Sequence, residues 1–98
     1  MSTSLTIVAR IEARPGCEEE LAAHLHGLIA PTLREDGCLQ YDLHRDNDHP
    51  GRFLFFENWQ SRPQWQTHME SAHLKAYQEA TADLVADFEL FEMTQVRG

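Results

Sequence analysis

The sequence predicts an α+β fold in two layers, a ferredoxin-like sandwich in which helices cover one side of an antiparallel four-stranded sheet. Three observations predict it. Hydrophobic periods of two and of three to four residues follow one another in the order strand, helix, strand, strand, helix pair, strand. A turn-forming hexapeptide, "DNDHPG", joins two extended runs in the middle of the chain. The second of those runs is apolar on both faces, which a sheet wetted on one side would not tolerate.

In "LTIVARIEA", Leu5, Ile7, Ala9 and Ile11 alternate with a more polar set, the period of a strand, and "RPG" at Arg14 to Gly16 ends it. Glu18, Glu19 and Glu20 then place negative charge where the free amides of a first helical turn favour it. From Glu18 to about Arg34, Leu21, Leu25, Leu28, Ile29 and Leu33 form one helical stripe. Pro31 cannot donate to the carbonyl of Gly27, so a kink or a tightened last turn is expected before "EDG" ends the helix.

"CLQYDLHR" and "RFLFFENW" are expected to pair as an antiparallel hairpin. In the second strand Phe53, Phe55, Glu57 and Trp59 share one face and Leu54, Phe56 and Asn58 the other. Ser61 with Gln64 makes a capping pair, and Pro63 is tolerated in the first turn of a short helix that carries Trp65, His68 and Met69 on one side. After a joint at Glu70–Ser71, a further helix is expected from about Ala72 to Val85, with Leu74, Tyr77, Thr81, Leu84 and Val85 inward. "DFELFEMTQV" is read as the closing strand. Residues 1–98 are expected to form one domain, without internal repeat or linker.

A chain of 98 residues buries only about 60–65% of its unfolded surface. The second cover demanded by the two-faced strand is therefore expected from an identical subunit, in a homodimer packed sheet on sheet. Sixteen acidic against eight basic residues leave a net charge of −8, which repels nucleic acid and anionic membranes. "MSTSLTIVAR" has neither a basic n-region nor a long apolar run, so a cytoplasmic protein is expected. Cys17 and Cys38 flank a helix of roughly 30 Å, too far apart for a disulfide.

The chemistry-bearing residues narrow the function. No glycine-rich phosphate loop, dinucleotide fingerprint or serine elbow is present. His24 and His26 lie two apart on a helix, and His68 and His73 five apart across a joint, so no metal site is expected from spacing. His68 stands out because its phase puts an imidazole on the inward stripe between Trp65 and Met69. There it serves as a half-buried hydrogen-bonding residue or as a general base in an apolar pocket, where an ordinary pKa near 6.5 suits proton abstraction. Phe55, Trp59 and Tyr77 join it as either core or the walls around a flat aromatic ligand.

"ARPGCEEELAAHL", "REDGCLQYDLHRD", "GRFLFFENWQS" and "HMESAHLKAY" fall in an order and spacing that resembles the antibiotic biosynthesis monooxygenase (ABM) family, in particular its small quinol-monooxygenase-like members. Glu57 and Trp59 with His68 nine residues on, then His73-Leu74 followed by Tyr77, are the most specific part of a likeness that covers nearly the whole chain. The resemblance implies a dimeric α/β-barrel assembly and a pocket between helices and sheet in each subunit. It also implies a monooxygenase acting with O2, without metal, flavin or other cofactor, on a quinol, dihydroxyarene or anthrone-like substrate. The implied catalytic residues are His68 as base, with Glu57 or Tyr77 orienting a hydroxyl, and the implied substrate-binding residues are Phe55, Trp59, Trp65 and His73.

Heme-degrading relatives imply an asparagine in the first strand, a tryptophan where His68 stands and an axial histidine after Leu74, and this chain has none of the three. The alternatives are a binding module that holds a quinone or polyketide without turning it over, and an isomerase or degradation enzyme acting on a phosphorylated signalling molecule. A phosphate-bearing ligand calls for a basic cluster near the pocket, for which the sequence offers only Arg45, Arg52, Arg62 and Lys75.

Overall fold

The computed structural model describes residues 4–97. Its elements are β1 (Leu5–Ala13), α1 (Glu18–His26), α2 (Ile29–Leu33), β2 (Cys38–Arg45), β3 (Arg52–Trp59), α3 (Arg62–Met69), α4 (Ala72–Thr81) and β4 (Val85–Met93). The strands form one antiparallel sheet in the order β2-β3-β1-β4, the ferredoxin-like topology expected from the order of periods. No described helix is long and apolar enough to cross a membrane.

Register decides which side chains meet. Ile7 pairs with Glu57, Ala9 with Phe55 and Ile11 with Phe53, while Tyr41 and Leu43 of β2 stand opposite Glu57 and Phe55. Partners across an antiparallel ladder point to one face, so these residues form the floor beneath the helices. Ile7, Ile11, Tyr41, Phe53, Phe55 and Trp59 are buried there against Leu21, Leu25 and Leu28 of the first helical segment. The other face carries Val8, Leu54, Phe56, Phe91 and Met93, and among the described residues nothing covers it: Phe56, Phe91 and Met93 remain 36%, 41% and 44% exposed.

Two helix boundaries differ from the sequence reading. The expected helix from Glu18 to Arg34 is split at Gly27–Leu28, a turn earlier than Pro31 itself. The missing Pro31 N–H leaves the Gly27 carbonyl without its helical partner, and the Leu28 N–H bonds the Leu25 carbonyl in a tighter turn at 3.1 Å. The last helix stops at Thr81 instead of running to Val85, because the Leu84 N–H turns back to the Thr81 carbonyl at 2.9 Å. Val85 then opens β4, which ends at Met93 rather than Val96. The joint between α3 and α4 is where it was expected: Ser61 caps α3 by accepting from the Gln64 N–H, and Ser71 caps α4 by accepting from the Leu74 N–H. Both cysteines are free.

Gly37, between α2 and β2, has φ +87°, and its carbonyl accepts from the Gln60 N–H at 2.8 Å. A Cβ added there would lie 2.8 Å from Gln64 Cβ, so the start of α3 would have to move. Gly16 has a similar φ of +88° but open space around it. Gly37→Ala is expected to cost about 1–3 kcal/mol in urea unfolding and Gly16→Ala only about 1 kcal/mol. Equal costs would show that Gln64 yields freely.

Candidate active site

A cavity of about 240 Å³ lies between the helix-facing side of the sheet and the α3–α4 pair. Ala9, Ile11, Phe55, Glu57 and Leu90 form its floor, and Trp65, His68, Met69, Tyr77 and Thr81 its walls. The small Ala9 of β1 leaves room above the floor, and the two short helices on either side of the Glu70–Ser71 joint supply the walls.

His68 is 2% exposed, set between the ring of Trp59, with centroids 4.8 Å apart, and the edge of Tyr41, at 5.7 Å. Its Nδ1 lies 2.6 Å from Glu35 Oε2. A carboxylate only accepts, so Nδ1 carries the ring proton and Nε2 keeps the lone pair. Burial lowers the pKa of His68 more than the bond to Glu35 and its charge raise it, with a further lowering from His73. The imidazole is therefore neutral at neutral pH, and among the described residues no hydrogen bond engages Nε2.

Glu57 is 4% exposed and projects from β3 into the cavity floor. Desolvation pushes its carboxyl up to about 7, partly opposed by the hydrogen bond that Trp59 Nε1 donates to Oε1 at 2.9 Å and reinforced by the charge of Glu35. Near neutral pH Glu57 thus exists in both protonation states. Burial also raises the pKa of the Tyr77 phenol, so that it remains a neutral donor on the wall. Trp65 Nε1 is buried without a partner among the described residues.

Of the residues singled out in the sequence, Phe55, Glu57, Trp65, His68 and Tyr77 are brought together around the cavity. Two are placed elsewhere. Trp59 is 0% exposed and lies behind His68, where it supports the imidazole and bonds Glu57 instead of forming the wall. His73 faces the far side of Glu35, its Nε2 2.8 Å from Oε2, so it holds the carboxylate and not the cavity contents.

Glu35 itself escaped the sequence reading. It follows α2, 33 residues before His68, and as an acid in "EDG" it signalled only a helix end. Glu35, His68 and His73 offer three potential metal-ligand atoms within 4.8 Å of one another, a cluster that pairwise spacing along helices does not reveal. Arg45, Arg52, Arg62 and Lys75 all lie outside the cavity lining.

The sequence profile of the antibiotic biosynthesis monooxygenase family matches residues 4–80. A Mycobacterium tuberculosis protein named "Putative monooxygenase Rv0793" is 34% identical over 85 residues, which span 87% of this chain and 83% of the relative. An Escherichia coli K12 protein named "Probable quinol monooxygenase YgiN" is 33% identical over 86 residues, 78% of this chain and 83% of the relative. In three dimensions the chain is similar to PA3566 from Pseudomonas aeruginosa, with a TM-score of 0.94 and 33% identity over 99% of this chain and 98% of that one.

The Glu57 carboxyl has a consequence for stability. Between pH 4.5, the ordinary value, and about 7 the unfolded chain releases this proton while the native chain holds it. Native stability therefore falls as pH rises through that window, by roughly 3 kcal/mol at most. Glu57→Gln keeps an oxygen for the Trp59 N–H and removes the titration. The variant is expected to match the parent at pH 4.5 and to exceed its thermal stability at pH 8; a lower melting temperature at pH 8 would contradict the raised carboxyl.

Proposed function

Because this chain belongs to the antibiotic biosynthesis monooxygenase family, we propose that it is a cofactor-independent monooxygenase that oxidises a quinol, dihydroxyarene or anthrone-like substrate with O2. The observation that carries this reading is the neutral imidazole of His68, oriented by Glu35, on the wall of a largely apolar cavity. The "quinol monooxygenase" in the name of the Escherichia coli relative supports the substrate class.

In this mechanism His68 Nε2 takes a proton from the substrate hydroxyl, or from the acidic carbon of an anthrone, and Glu35 stabilises the imidazolium across the ring. The resulting anion is a good one-electron donor, whereas the neutral substrate reacts poorly with triplet O2. Electron transfer and recombination form a carbon–oxygen bond and a hydroperoxide. Loss of water then leaves a carbonyl, so one oxygen atom enters the product, the other leaves as water, and the substrate supplies all the electrons. Glu57 in its protonated state is suited to protonate the departing oxygen. The unpartnered Trp65 Nε1–H and the Tyr77 hydroxyl are donors for a substrate oxygen. Apolar walls keep water from the anion.

His68→Gln is expected to lower O2 uptake with a dihydroxyarene panel by about 100-fold or more while the fold is kept. Unchanged uptake would refute the base. A ligand that alters its absorbance on binding while no oxygen is consumed by the parent protein would favour the binding module instead.

The assembly belongs to the same proposal. The uncovered face of Val8, Leu54, Phe56, Phe91 and Met93 is suited to pack on its copy in a homodimer. Sedimentation is expected to give a dimer for the parent chain and a monomer for Phe91→Glu, and a monomeric parent would remove this part of the proposal.

A further inference from the structure

We propose that Glu35, His68 and His73 form a binding site for one divalent transition-metal ion of the zinc and cobalt class, through Glu35 Oε2, His68 Nδ1 and His73 Nε2. The three side chains come from three segments: the turn after α2, α3 and α4. The joint at Glu70–Ser71 brings the two imidazoles, five residues apart, to ring centroids 6.0 Å from each other. Glu35 Oε2 sits between them, 2.6 Å from one nitrogen and 2.8 Å from the other.

Two imidazoles and one carboxylate suit zinc, cobalt or nickel better than magnesium or calcium, which prefer oxygen alone. Ligand atoms around a tetrahedral ion with bonds of about 2.0–2.1 Å stand roughly 3.4 Å apart, so Glu35 Oε2 has to withdraw by roughly 0.6–0.8 Å from the rings while the two nitrogens, within 4.8 Å of each other, close by up to about 1.4 Å. The two nitrogens then exchange their protons for the metal. Thr32 Oγ1 and Ser71 Oγ, 3.3 and 3.4 Å from His73 Nε2, border the site and are placed to hydrogen-bond its ligands.

Side-chain exposure grades from 3% at His68 through 15% at Glu35 to 26% at His73, so the cluster meets solvent on the His73 side. The net charge of −8 enriches cations around the chain.

Occupancy changes what the cavity sees. With the metal on Nδ1, a neutral His68 ring must carry its proton on Nε2, so the acceptor on the wall becomes a donor and proton abstraction stops. This inhibitory consequence rests on the proposed role of His68 as base; the metal site does not.

The test uses the full chain, stripped with a chelator and titrated with Co(II) and Zn(II) by calorimetry and visible absorption. One equivalent per chain is expected, and Glu35→Gln and His73→Gln are each expected to weaken it by at least about 100-fold. No binding at millimolar metal, or equal binding in both variants, would overturn the site, the latter by placing the ion on exposed histidines such as His44 or His49. If a variant fails to fold, imidazole 1H–15N spectra of the parent decide: zinc is expected to shift His68 and His73, and their persistence unshifted would overturn the site. With a turned-over substrate in hand, zinc should abolish O2 uptake and chelator restore it. Full turnover with the site filled would remove the base role and leave the metal site standing.

Discussion

The bond between Glu35 and His68 is the constraint on which the site depends. A buried imidazole between Trp59 and Tyr41 has few ways to satisfy two nitrogens, and the carboxylate settles which of them carries the proton. Once Nδ1 is committed to Glu35, the lone pair is left at Nε2 of a ring that lines the cavity. The rest of the architecture serves to keep that arrangement in place. Gly37 turns the chain sharply after Glu35, the Ser61 and Ser71 caps start α3 and α4, and His73 holds the carboxylate from its far side.

The same dry environment acts in opposite directions on the two titratable residues of the cavity. Desolvation disfavours whichever form is charged, so it raises the carboxyl of Glu57 and lowers the imidazolium of His68. Burial thus leaves His68 a neutral imidazole and lets the Glu57 carboxyl hold its proton up to about 7. A base and an acid suited to the same pH follow from burial next to a handful of hydrogen bonds, without any further charged partner in the cavity lining.

Most of the fold was legible because periodicity reports burial directly. The alternation in Leu5–Ala13 and the two-faced run Arg52–Trp59 identified the central strands, and the capping residues located the joint between the short helices. What periodicity could not report was where a helix breaks once its stripe continues through the break. Leu25 and Ile29 stay in phase on either side of the Gly27–Leu28 break, and Leu84 and Val85 remain inward after the last helix has ended. The site was legible to the extent that its members lie on one face of one element: Phe55 and Glu57 on a strand, Trp65 and His68 on a helix. Glu35 belongs to a turn and meets its partners only through the tertiary fold, so no local pattern marked it. Trp59 shares its strand face with Phe55 and Glu57, yet it lies under the imidazole, because the helix above it determines where the cavity ends.

A carboxylate shared by two imidazoles is at once an orienting device and a set of metal donors, and the two uses exclude each other at His68 Nδ1. On the proposed roles, the metal-free state is the one suited to proton abstraction. Its defining property is the tautomer of a single ring, which long-range 1H–15N correlation reads in the metal-free protein at pH 7. The account predicts a neutral His68 protonated at Nδ1 with a bare Nε2; a proton on Nε2, or a doubly protonated ring, would contradict it.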